Sequence, residues 1–190
     1  PLNPSTTAQQ NARGILGSLS TQWSQLTDAQ RLSFNNAVGD FSRTDIFGDI
    51  RNPSGINLFV KLNTNLILTG QAQITTAPAK EELLFAGIDS VAMDVSGQTT
   101  NIVLDNANLD GAIVLAFATP TLTNGTSFVK NRLRSIGSFT VADDEILVTS
   151  GYTSKFGAFA LGANIVVGFK VISATGQATT LQSKTATIVA

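Results

Sequence analysis

The hydrophobic period of this chain changes once along its length. Up to about residue 70, apolar residues recur every three or four positions. Beyond about residue 82, short β-branched runs alternate with Gly, Asn and Thr. Steps of three or four build one face of a helix, whereas short β-branched runs between turn signals build strands. The expectation is an α+β chain: a helical docking region of about three helices over residues 1–70, an extended connection with Pro78 over 71–82, and an antiparallel β-sandwich over 83–190.

Each helix has its own start signal. Thr6 to Gln25 carries the stripe Ala8, Ala12, Ile15, Leu16, Leu19, Trp23 and Leu26, with N-cap candidates in Asn3-Pro4-Ser5-Thr6. Gly14 and Gly17 within it are expected to mark close approach of a neighbouring helix. Trp23, the only Trp, is expected to anchor a core. Thr27-Asp28-Ala29-Gln30 is a capping box opening a second helix, with Gly39 as its left-handed stop. A loop over Asp40 to Pro53 follows, with Phe41, Ile46, Phe47 and Ile50 expected as anchors. Ser54 opens a third helix that carries Phe59, Leu62 and Leu66 and stops at Thr69-Gly70. Strands are expected at Ile88–Val95, Asn101–Asp105, Ala112–Thr119, Arg132–Phe139, Asn164–Ser173 and Gln182–Ala190. The stretch Asp143 to Phe156 suits a strand by Ile146-Leu147-Val148 and a short helix by its leading acids, and the reading leans to the helix.

Composition removes whole classes of function. The 190 residues hold neither His nor Cys. Cys/His zinc sites, iron–sulfur clusters, disulfides and His-based catalytic relays are therefore excluded. Twelve basic and thirteen acidic residues give a net charge of −1 and a charged fraction of 13%, against about 25% in an ordinary soluble domain. Such a surface exerts little pull on phosphates, so no nucleic-acid partner is expected. The longest apolar run, Ala112 to Ala118, is far short of the ~20 residues of a membrane span, so no membrane partner is expected. Neither common phosphate-loop motif occurs. The reading is a non-enzyme without cofactor. The chain opens on Pro1, which leaves a removed initiator Met or an upstream segment as alternatives.

Few constellations remain. Asn106, Asn108 and Asp110, with Gly111, match the first half of a calcium loop. Phe117 stands where the closing bidentate acid belongs, and Asn106 replaces the first Asp. A β-turn accounts for the same residues. Asp143-Asp144-Glu145 is the densest acidic cluster. Lys130, Arg132 and Arg134 alternate, so on a strand they would share a face, either as a patch for a partner or as charges that deter edge pairing. With Arg13, Arg31 and Lys61 they are the candidate interface residues.

Two stretches carry a resemblance. One is Asn3-Pro4-Ser5-Thr6-Thr7-Ala8-Gln9, continued by Leu19-Ser20-x-x-Trp23-x-x-Leu26-Thr27-Asp28-Ala29-Gln30-Arg31-x-x-Phe34-Asn35. The other is Gly55-Ile56-Asn57-Leu58-Phe59-Val60-Lys61-Leu62-Asn63. They resemble small virion structural proteins of tailed bacteriophages and prophages, in which such motifs precede a β-sandwich of immunoglobulin or fibronectin type. Tyr152-x-x-x-Phe156-Gly157 and Thr175-Gly176-Gln177 resemble that module too, while Phe34 departs from the group's frequent Trp. The resemblance implies a capsid decoration or auxiliary protein, present in many copies in a virion assembled in the host cytoplasm. Its partners would be capsid proteins or neighbouring copies, with the helical arm docking on the shell. A head–tail or tail-associated component is the nearest variant. A glycan- or surface-binding module is the alternative of another class, and it would need exposed planar aromatics.

Overall fold

The computed structural model describes residues 6–94, 99–105, 109–123, 125–126, 128–158 and 161–188. The chain forms two compact units, Pro1–Glu82 with Ala174–Gln177, and Leu83–Ser173 with Ala178–Ala190. It is an α+β protein.

The first unit holds helices α1 (Thr7–Gln25), α2 (Asp28–Ala37) and α3 (Gly55–Leu68), with a two-stranded hairpin, β1 (Arg43–Thr44) and β2 (Ile50–Arg51), between the last two. Thr6 and Thr27 both close capping boxes, with Gln9 and Gln30 as the reciprocating side chains. Each box satisfies two amides that a helix start leaves orphaned. The Ser54 hydroxyl accepts from the Asn57 amide at 3.3 Å. At the far end of α3, Gln71 N donates to Leu66 O at 2.8 Å and Gly70 N to Ile67 O at 3.2 Å. With Gly70 at φ +70° this is a Schellman stop, which favours glycine because a Cβ is disfavoured there.

Leu19, Leu26, Phe34, Leu58, Phe59 and Leu62 form the core of this unit. Phe34 meets Phe59 edge-on at 5.3 Å between ring centroids, and Trp23 covers both at 6.0 and 5.5 Å. Such pairs add about 0.5–1.5 kcal/mol beyond the area they bury. Trp23 is thus the anchor that its place on the stripe predicts. Helices α2 and α3 approach so closely that a Cβ on Gly55 would sit 2.0 Å from Asn35 Oδ1.

The connection after α3 is tied down by side chains. Buried Asn63 donates to Phe59 O and Ile74 O, both at 3.1 Å, and accepts from Ile74 N at 2.8 Å. The Ser33 hydroxyl accepts from Ala77 N. Residues 174–177 join the same unit: Asn65 Nδ2 donates to Gly176 O at 2.8 Å, and the Gln177 side chain bridges Ala79 O and Glu81 N.

Three expectations for the helices of this unit fail. Gly14 and Gly17 touch no neighbouring helix, for a Cβ at either would meet nothing within 4 Å. Ala8, Ala12 and Leu16 on the same helix are exposed, so only the C-terminal turns of α1 use the stripe. Gly39 is not left-handed, because the chain continues into a turn in which Asp40 N and Phe41 N donate to Ala37 O and Val38 O.

The second unit carries β3 (Ile88–Asp94), β4 (Thr99–Leu104), β5 (Ile113–Ala118), β6 (Arg134–Thr140), β7 (Glu145–Leu147), α4 (Thr149–Phe156), β8 (Asn164–Ile172) and β9 (Gln182–Thr187). All pairings are antiparallel, in two sheets ordered β3-β4-β7 and β6-β5-β8-β9. Strand β8 is buried along most of its length. Ile102, Ile146, Val114, Val167 and Phe169, from both sheets, belong to a single apolar cluster. Tyr152 of α4 joins that cluster, its ring 5.1 Å from Phe156, and burial pushes its phenol pKa up.

The stretch from Asp143 to Phe156 is both strand and helix. Asp143 and Asp144 have φ of +51° and +62° and join Ala142 to Glu145 in a two-residue turn. Asp tolerates that left-handed backbone, and a turn with both central residues there matches the twist of paired strands. The acids therefore build a hairpin rather than a helix start, which comes later at Thr149. Among the described residues no helix is long and apolar enough to cross a membrane.

Replacing Phe34 by Ala removes the centre of the ring cluster. The expected loss is about 3–5 kcal/mol, seen as a lower urea midpoint for the red shift of Trp23 emission. Trp23 lies in the first unit, so it reports that unit. An unchanged midpoint would contradict this packing.

Candidate interaction surface

The hairpin between α2 and α3 is organised by one carboxylate. Asp45 accepts from the amides of Phe47 (2.9 Å) and Asp49 (3.1 Å) and from Arg51 Nε (3.0 Å). Its own amide donates to Asp49 O at 2.9 Å, and Gly48 N donates to Asp45 O at 3.2 Å. Gly48 sits at φ +91°, a conformation that glycine supplies without strain. Arg51 also reaches Asp49 at 3.5 Å. The Arg51 guanidinium first, and then the Phe47 amide, hold the Asp45 carboxyl below the usual carboxylate range.

This frame holds apolar side chains in water. Ile46 is 92% exposed, Phe47 83% and Ile50 75%. They are not the anchors that the loop reading expected; only Phe41 packs onto the helical core. The exposure follows from the turn itself. Two residues between Asp45 and Gly48 must project outward when both ends are hydrogen-bonded to the same carboxylate or its backbone. Single exposed apolar residues are ordinary, but neighbours held at the tip of an ordered hairpin make a candidate contact surface.

Beside the hairpin lies a groove of about 350 Å³ lined by Phe41, Arg43, Arg51, Pro53, Asn57 and Lys61, among others, and by no acid. Arg51 is committed to Asp45 and Asp49, whereas Arg43 and Lys61 make no ion pair among the described residues. Of the sequence candidates, Lys61 belongs to this surface. Arg31 is engaged with Asp28 at 2.8 Å. Arg13 is exposed on the uncovered part of α1.

In the second unit, Lys130 and Arg132 stand on a 3-10 turn, Lys130–Arg132, and only Arg134 lies on β6. The three do not share a strand face, because the helical turn breaks the alternation. Arg134 donates to Asn131 O and Leu133 O at 2.8 and 2.9 Å, and with Arg132, Pro120 and Phe156 it lines a shallow pocket of about 290 Å³. Of the calcium-loop candidates, Asn106 and Asn108 lie outside the described residues. Asp110 Oδ1 accepts from Asp144 N at 3.2 Å. Among the described residues no three His, Cys, Asp or Glu side chains converge.

Sequence reading missed Arg43, Arg51 and the exposure of the tip. The available signal was Asp45-x-x-Gly48 between Thr44 and Ile50, a tight-turn pattern flanked by β-branched residues. No family model matches the chain, and neither a curated protein nor a solved structure matches it.

Replacing Asp45 by Ala is expected to move the Phe47 and Asp49 amide chemical shifts to disordered values at neutral pH. The wild-type shifts should follow only on acidification. The folded-state pKa is depressed, so the contribution of Asp45 is complete above the usual carboxylate range. It is lost as pH falls through the lowered value. Retention of native shifts in D45A would contradict this role.

Proposed function

We propose that this chain is a bacteriophage virion structural protein, a capsid decoration or auxiliary component that works through protein–protein contacts. The observation that carries the reading is the hairpin tip. Ile46 and Phe47 stand almost fully in water on an ordered turn, beside a cationic groove in the same unit. Apolar residues held at a protrusion contribute binding energy when a partner pocket dries them. The N-terminal motifs give the reading its biological setting, since they resemble those of phage and prophage virion proteins.

The strand order of the second unit supports the immunoglobulin or fibronectin-type module within this reading. Counting its seven strands from the N-terminus, the first, second and fifth make one sheet, and the fourth, third, sixth and seventh make the other. That is a two-sheet Greek-key arrangement of the kind such modules use. A glycan-binding role would have to rest on exposed Phe rings such as Phe47, because Tyr152 is buried and Trp23 packs against Phe34 and Phe59.

Purified particles test the proposal. The chain should co-sediment with the shell in fixed stoichiometry, and the double variant Ile46→Ser, Phe47→Ser should reduce occupancy at least about tenfold, the equivalent of 1.4 kcal/mol per site. A chain absent from particles, or one whose occupancy ignores the tip, would overturn it.

A further inference from the structure

The groove beside the hairpin asks for an acidic segment with apolar residues next to it, and the chain contains one. Glu81-Glu82-Leu83-Leu84-Phe85 lies outside any helix or strand and has no ladder partners among the described residues. Glu82 is exposed and makes no ion pair among the described residues. Leu84 is 59% exposed and Phe85 56%. Lys80 precedes the two acids, so the charged stretch keeps a net charge of −1. Within its own copy the segment is held elsewhere: Glu81 N donates to Gln177 Oε1 at 3.0 Å, and Glu81 Oε1 accepts from Thr175 Oγ1 at 2.9 Å. The groove's lining includes neither Glu81 nor Glu82, and among the described residues Arg43 and Lys61 make no ion pair.

We infer that residues 81–85 of one copy dock on the hairpin and groove of a second copy. The Glu82 carboxylate faces Arg43 and Lys61, while Leu84 and Phe85 cover Ile46 and Phe47. This deepens the proposed function by naming a neighbouring copy as a partner, and it rests on that reading for its setting.

Charge favours this occupant. The groove is lined by three cations and no acid, so it does not pair with a second groove across a two-fold axis. A different patch of the next copy must fill it, and the contact is head-to-tail. The contact is small. It is weak between free chains and gains strength where a particle holds many copies side by side.

Sedimentation velocity of the purified full chain, from about 10 μM to 1 mM, reads the association directly. The wild type should self-associate with rising concentration, and less so in about 0.5 M salt, where charge pairs are screened. Two surface variants separate the halves: Arg43→Glu with Lys61→Glu, and Glu82→Lys with Phe85→Ser. Each should weaken self-association at least about tenfold, with an unchanged circular dichroism spectrum. Mixed together, they should form a 1:1 complex that grows no further, because each keeps one intact half.

A wild type that stays monomeric, variants that associate as the wild type does, or a mixture without complex would overturn the inference. So would a monomeric chain that instead binds anionic vesicles or single-stranded DNA through the groove. A chain that enters particles but never self-associates refutes this contact alone, whereas one that self-associates but is absent from particles refutes the virion reading.

Discussion

Asp45 is the group on which the rest of the candidate surface depends. One carboxylate gathers two backbone amides and a guanidinium within a span of seven residues. A hairpin of two-residue strands has too few ladder bonds to hold itself together in water. The charge-assisted bonds to Asp45 replace the missing ladder. They also settle where Ile46 and Phe47 go. With the turn closed on its inner side, the two side chains have only solvent or another molecule to meet. The same closure commits Arg51 and leaves Arg43 and Lys61 as the uncommitted cations of the groove.

The helical unit supplies the platform. Its ring trio fixes α2 against α3, and the hairpin leaves from one helix and returns to the other. Phe41 packs at its base, so the protrusion is anchored at its foot while its tip stays free. The low density of charge elsewhere has a related consequence. A surface rich in Thr, Asn and Gln neither repels nor strongly attracts its neighbours, so specificity falls to the few places where apolar and charged groups are combined. That suits an assembly in which many modest contacts act at high local concentration.

Helix starts were the most legible part of the sequence. Thr6 with Gln9, Thr27 with Gln30, and Ser54 each mark a boundary through a local hydrogen bond, which needs no tertiary information. The long strands were legible for a similar reason, since β-branched runs bounded by turns have few other uses. Gly14 and Gly17 misled because small residues suit both a close approach and an open surface, and only the neighbours distinguish them. Asp143 and Asp144 misled because acids favour helix starts and left-handed turns alike. Ile46, Phe47 and Ile50 were the most instructive failure. Hydrophobicity alone sends a side chain inward, and what overrode it was a polar network centred five residues or fewer away. The interface candidates fared unevenly. Lys61 lies in the groove, but its companions Arg43 and Arg51 come from a segment whose structure no periodicity announces.

The hairpin's role as a contact surface is the proposal on which the virion reading turns. The most direct test is amide hydrogen exchange of the chain on intact particles compared with the free chain. Slower exchange over Phe41 to Arg51 on the particle, greatest at the tip, is the predicted result. A bound chain whose hairpin exchanges as fast as the free one, with protection confined to other segments, would contradict the claim.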